Sequence, residues 1–383
     1  MTRGRTGLWL IGARGSVATT AMSGLFALRA GLAAPTGLVT HRPEFADVDL
    51  PGWDEIVVGG HDIATTPVEK RAEQLAGGGV LPPHLVDALR PALRAVEAEI
   101  REGYRAGAPG SQADAARRLA DDITSFRERN ELERVVVVNV SSTEPPCDFA
   151  PEHTNLADLE AALADPDRAV LPPSSLMAYA ALLAGCPFVD FTPSTGITLP
   201  ALTELADRER LPYGGRDGKT GETLLRTVLA PMFTSRGLNV LSWAGTNILG
   251  GGDGATLSDP DAARGKLETK GRGLAALLGH DVNAPLHIDN VPDLGEWKTA
   301  WDHVHFEGFL GARMTLQFTW NGLDSSLAAP LVLDLARLAS AAHAAGQTGA
   351  LGALAFFFKD PLGSDEHRLA EQFRELVAWA RGL

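Results

Sequence analysis

The opening of the chain constrains its fold more than any other feature. An apolar run, Leu8 to Ile11, is followed at once by Gly12-Ala-Arg-Gly-Ser16 and then, from about Val17, by apolar residues at helical spacing. A strand that turns through glycine into a helix is the unit of parallel α/β sheets, because the helix packs back on the strand before it. Such a turn aims the unpaired N–H groups of the helix N-terminus at the strand end, where a dinucleotide pyrophosphate binds. A strand–helix turn without a ligand has the same local pattern, and Arg14 stands where the usual fingerprint has its second glycine.

Further buried-strand patterns fall at 36–40, 55–58, 135–140, 188–191 and 238–243. Helical spacing falls between them at 68–74, 91–105, 113–129 and 174–184. This alternation predicts a Rossmann-like, doubly wound parallel α/β sheet. Beyond about Leu225 strand patterns crowd together at 285–290, 301–309 and 313–320, which predicts a more antiparallel unit. Helical segments at 326–345 and 365–379 then return to the first unit. The expected division is 1–224 with 325–383 as the dinucleotide-binding domain, and 225–324 as an inserted α+β domain for catalysis and oligomerisation.

With 383 residues, 45% of them hydrophobic, the chain can bury two cores. A formal charge of -14 argues against a nucleic-acid partner, which needs concentrated positive charge. Its longest uninterrupted apolar runs fall short of the roughly 20 residues of a membrane span, and no signal peptide is recognised, so no membrane partner and a cytoplasmic location are expected. Cys147 and Cys186 are too few for a disulfide framework, in keeping with a reducing compartment.

Only six of the 34 basic residues are lysines. Lysine, unlike arginine, can lose its proton near neutral pH when crowded or buried, so these six are candidates for chemistry. Lys266 and Lys270 are four apart and share one face of a helix, where two ammonium groups in a cleft depress each other's pKa. Lys219 lies in Gly-Arg-Asp217-Gly-Lys219-Thr220-Gly221-Glu222-Thr223, a glycine-rich turn into a helix. Its N–H groups, hydroxyls and single cation suit a phosphate dianion, though a plain capped helix start reads alike. Asp302, His303, His305 and Glu307 fit a strand with alternating faces better than a metal site, and the metal question stays open.

These motifs resemble the myo-inositol-1-phosphate synthase family over nearly the whole chain. The resemblance is carried by the GARGSVATT loop, IVVGGHDIA, VVVNVSSTEPP, GGRDGKTGETLLRT, GTNILGGGDG with Lys266 and Lys270, GEWKTAW and FFFKDP. It implies NAD as cofactor, held by Gly12, Arg14, Gly15, Ser16, Val17, Asp62, Ser141, Ser142, Thr143 and Asp253. It implies a phosphate turn at Lys219, Thr220, Gly221, Glu222 and Thr223, and a catalytic set of Lys266, Lys270, Lys298, Lys359, Asp324 and Asp217. Gly251 and Gly252 stand where some relatives carry larger side chains.

The chemistry so implied oxidises a hexose 6-phosphate at C5, removes a C6 proton, closes the ring by an aldol step and reduces C5 again. Glucose 6-phosphate is the leading substrate and gives myo-inositol phosphate. Fructose 6-phosphate, giving a five-membered cyclitol phosphate in specialised metabolism, is the alternative. A net sugar-phosphate dehydrogenase and a non-catalytic NAD-binding sensor are the rivals, and the resemblance implies a homotetramer.

Overall fold

The computed structural model describes residues 4–251 and 273–383. Its larger sheet has seven strands, every neighbouring pair parallel. From the central β1 (Arg5–Ile11) the sheet runs one way through β2 (Ile56–Asp62) to β3 (Ile100–Glu102). The other way it runs through β4 (Leu132–Asn139), β5 (Phe188–Asp190) and β6 (Pro212–Gly215) to β11 (Gly349–Ala350). The order of the chain reverses beside β1, which opens a crevice at the carboxyl ends of β1 and β4.

Period-two alternation sorts the two faces of the sheet. Leu8, Leu10, Val136 and Val138 enter one core, against α1 (Ser16–Arg29), α2 (Val68–Gly77) and α3 (Pro83–Glu97). Trp9, Ile11, Val135 and Val137 enter the other, against α4 (Gln112–Arg129), α5 (Leu156–Leu163), α6 (Pro173–Leu183) and α7 (Pro200–Arg208). Gly60 permits the tight approach of β1 and β2, since a Cβ there would lie 2.3 Å from the Leu10 carbonyl oxygen.

After β6, α8 (Glu222–Ser235) leads into a four-stranded sheet. It comprises β7 (Asn239–Leu249), β8 (Leu286–Asn290), β9 (Trp297–Glu307) and β10 (Arg313–Leu323), in the order β10-β9-β7-β8. β9 is antiparallel to both neighbours, whereas β7 and β8 are parallel. Phe233 of α8 packs with Trp243 and Val304 in a third, small core. On β9, His303, His305 and Glu307 share the face opposite to buried Asp302 and Val304.

The chain then returns. α9 (Asp324–Ala344) begins directly after β10 and packs on α1 and β4, and α10 (Leu369–Ala380) joins the same core. α9 has the length and apolar composition of a membrane span but spends that surface inside the protein.

Two sequence expectations differ from the structure. Residues 36–40 form no strand; Val39–His41 is a single 3-10 turn whose backbone is claimed by buried Asp334, which accepts from Val39 N at 2.6 Å and Thr40 N at 3.1 Å. The helix expected at 91–105 lies earlier, at Pro83–Glu97, and Ile100–Glu102 is an edge strand. Pro83 opens that helix because its fixed φ suits a first turn. Apolar spacing alone could not place the end of the helix.

Candidate active site

A cleft of about 870 Å³ lies at the carboxyl ends of β1, β2 and β4, under the start of β9. It adjoins a smaller lobe between the parallel sheet and β7, the two sharing Val17, Val140, Ser141, Thr143, Leu249, Lys298 and Asp324 as wall.

The larger lobe is built mainly from backbone. Gly12 has φ +83 and carries no Cβ where one would lie 2.7 Å from Ser141 Cα, so glycine alone lets the β1 and β4 loops meet. Gly15 caps α1 without a side-chain hydrogen bond, which leaves the first N–H groups of the helix facing the cleft. Asp62, at the end of β2, accepts from Arg14 N and Ala64 N, each at 2.6 Å, and each oxygen retains a lone pair for a ribose hydroxyl. Gly12, Arg14, Gly15, Ser16, Val17, Asp62, Ser141, Ser142 and Thr143 all line this lobe. The Arg14 side chain itself is held by Glu97 at 2.5 Å. The glycine cradle, uncapped helix end and acidic residue together fit a dinucleotide. Asp253 lies outside the described residues.

Behind this wall, side-chain hydrogen bonds fix the loops. Asn139 Oδ1 accepts from Ser141 Oγ at 2.8 Å, and Asn139 Nδ2 donates to Asp190 Oδ1 at 3.1 Å. The same Asp190 oxygen accepts from Thr192 N and Thr192 Oγ1, so one carboxylate ties the β4 loop to the β5 loop. Full burial pushes the Asp190 carboxyl up to about 7, against the opposing pull of these hydrogen bonds. Across the mouth of the cleft, Arg71 of α2 donates to Ser16 Oγ and lies 3.2 Å from Glu296, just before β9.

The smaller lobe is built from charged side chains. Lys298, on β9, donates to Asp324 at the start of α9 over 3.1 Å. Lys359 donates to Asp217 Oδ1 over 2.7 Å, and the two segments also pair through Lys359 N to Asp217 O. Both pairs line the lobe together with Thr220 and Asn247. The structure thus brings together Asp217, Thr220, Lys298, Asp324 and Lys359. Lys266 and Lys270, with Gly252, lie outside the described residues, whereas Gly251 lies on the wall of the larger lobe.

Two residues of the phosphate turn face elsewhere. Lys219 is 3% exposed and donates to Gln372 of α10, and its burial pulls the ammonium down to about 7. Glu222 is buried against Arg226 and Asn247. Gly221 and Thr223, at the start of α8, do not reach the wall, although Gly221 gives α8 an N-terminus free of a side-chain cap. Asn247, by contrast, is a wall residue that the motifs did not single out. Its signal was a polar residue in register with Trp243, Gly245 and Leu249 on the buried face of a strand.

The sequence model of the family described as myo-inositol-1-phosphate synthase matches residues 6–381. Inositol-3-phosphate synthase 1 of Bacteroides thetaiotaomicron is 34% identical over an alignment of 394 positions, gaps included, covering 95% of this chain and 91% of its own. Inositol-3-phosphate synthase 1 of Homo sapiens is 31% identical over 320 residues, covering 77% of this chain and 56% of its own. Among solved structures, inositol-3-phosphate synthase of Caenorhabditis elegans superposes with a TM-score of 0.89 at 22% identity, over 99% of this chain and 86% of that one. A myo-inositol-1-phosphate synthase-related protein of Thermotoga maritima gives a TM-score of 0.80 at 26% identity, over 99% of both chains.

Proposed function

Because the chain belongs to the myo-inositol-1-phosphate synthase family, we propose that it closes glucose 6-phosphate into myo-inositol phosphate by an NAD-dependent, redox-neutral aldol reaction. The observation that carries this reading is the pair of lysine–carboxylate contacts, Lys298–Asp324 and Lys359–Asp217, on the wall of a lobe that shares residues with the dinucleotide cleft. A sensor that only binds NAD has no use for them.

NAD, held by the residues of the larger lobe, would supply the reversible oxidation chemistry. The work of the chain's own residues is to hold the sugar beside it and to manage charge. Lys298, steadied by Asp324, sets a cation where an enolate or alkoxide oxygen develops, a placement worth more in a closed lobe than in water. Lys359 has a fixed acceptor in Asp217 and can pass a proton to or from a substrate oxygen. Thr220, on the wall of the lobe, offers a donor for the phosphate, and Lys266 and Lys270 are proposed to complete the catalytic set. The substrate phosphate can take the C6 proton, so no further carboxylate is required. The reaction requires that the ketone intermediate be kept from water while it is bound.

A homotetramer is part of the proposal. Phe309 and Leu310, each 88% exposed at the β9–β10 turn, and Met314 on β10 supply apolar surface for a neighbouring copy. Sedimentation as a monomer at micromolar concentration would remove this element.

The decisive experiment supplies glucose 6-phosphate and fructose 6-phosphate separately with NAD. The products are dephosphorylated, their ring size is read by carbon NMR, and absorbance is followed near ~340 nm. Inositol from the aldose with no net accumulation of reduced cofactor is expected. A cyclopentane polyol from the ketose alone would reassign the substrate, and sustained accumulation of reduced cofactor would make the enzyme a dehydrogenase.

A further inference from the structure

Resting on the reading that the smaller lobe holds a phosphorylated sugar, we infer that Glu222 is a positioning residue. Its carboxylate turns the amide of Asn247 so that Oδ1 faces the lobe as a fixed acceptor, and this selects substrates with a hydroxyl at that place.

The orientation follows from donor chemistry. A side-chain amide can sit either way round, but an ionised carboxylate can only accept, so it must meet the NH2 end. Asn247 Nδ2 donates to Glu222 Oε2 at 2.7 Å. The opposite end, Oδ1, is buried and has no hydrogen-bond partner among the described residues, and Asn247 is on the lobe wall. A buried acceptor left unmatched carries a desolvation cost that a bound hydroxyl removes.

Glu222 is also ion-paired. Arg226, one turn along α8, lies 2.5 Å from Glu222 Oε1 and 3.1 Å from Asp302 Oδ1. Asp302 also accepts from Trp243 Nε1 at 2.7 Å. Gly245 of β7 leaves room for the pair, since a Cβ there would lie 3.1 Å from the Arg226 guanidinium. Glu222, Arg226, Asn247 and Asp302 are all at most 4% exposed. Burying two carboxylates on one guanidinium is a poor way to gain stability, because desolvation offsets the attraction. The same network is an effective way to fix the orientation of a neighbouring amide.

The test compares kcat/KM for glucose 6-phosphate with that for its 2-, 3- and 4-deoxy analogues. In the wild type one analogue should lose at least about tenfold through its missing hydroxyl, because a site built to bind a hydroxyl rejects the compound lacking it. Glu222→Gln, whose amide can present either end to Asn247, and Asn247→Leu should each shrink that one penalty to within about threefold, leaving the other penalties and NAD affinity in place. Should Glu222→Gln fail to fold, Asn247→Leu carries the test, since it keeps the Glu222–Arg226–Asp302 cluster. Penalties that neither variant moves, or that all move in parallel, overturn the inference. Failure of the underlying function shows differently, as a wild type that turns over no hexose 6-phosphate.

Discussion

The two lobes of the cleft are made by different means. The dinucleotide lobe is held mainly by backbone: a positive-φ glycine, a helix N-terminus, and an aspartate that accepts N–H groups from its own loops. The smaller lobe is held by side chains from distant segments, Lys298 with Asp324 and Lys359 with Asp217. A backbone cradle recognises a cofactor by its phosphates and ribose. Groups that must gain, lose or face charge during turnover have to be side chains, and their partners set their charge.

Replacing Lys298 should separate the lobes most sharply. Lys298→Ala is expected to lower kcat by about 10² or more, the usual cost of losing a positioned acid–base or charge-stabilising group. NAD affinity by fluorescence titration should stay within about threefold. A parallel loss of NAD affinity would mean that Lys298 serves the shared wall rather than the reaction.

Gly12→Ala tests the opposite lobe. The new Cβ meets Ser141 Cα, and the positive φ costs about 1–2 kcal/mol for any L side chain. NAD affinity should fall by about tenfold, while kcat at saturating cofactor stays near wild type. Unchanged affinity would show that the β1 and β4 loops can part without harm.

Asp190, which ties the β4 and β5 loops together, reads as a pH dependence of stability and leaves both lobes their binding groups. Its folded pKa lies above the ordinary carboxylate value of 3.8, at about 7, so the folded state binds this proton more tightly. The stability it contributes is full below about pH 4 and is lost as pH rises towards about 7. Asp190→Asn should therefore flatten the fall of stability with pH across this window, by at most about 1.4 kcal/mol per pH unit. Asp334, raised to about 6 by burial, contributes a slope of the same sign and should remain. Urea melts at several pH values measure both, and an unaltered slope in the variant would mean that Asp190 does not titrate there.

The contrast between lobes also explains what could be read in advance. The β1 loop, the valine run of β4 and the long α9 announce themselves in short windows, because strand and helix periods are local. The edge strands β3 and β11, of three and two residues, carry no period to detect. In the site, Asp217 and Lys359 were singled out by motif, but nothing local says that they meet across 142 residues. Lys219 shows the converse. It sits in a motif suited to phosphate, yet its ammonium is claimed by Gln372, 153 residues further on. Asn247 was overlooked because a strand's buried polar residue is conspicuous only once the inward face is known.

The discontinuity of the parallel domain bears on how the molecule is made. α1, which presents the dinucleotide loop, is covered by α9, and Thr6 of β1 meets Ser340 across 334 residues. On the ribosome, where chains fold from the N-terminus as they emerge, the first six strands of the sheet are therefore synthesised long before their cover. A nascent chain ending before Asp324 exposes the apolar flank of α1 and lacks both Asp324 and Lys359. The smaller lobe is thus completed only with the last part of the polypeptide, which supplies Asp324 and Lys359 to its wall.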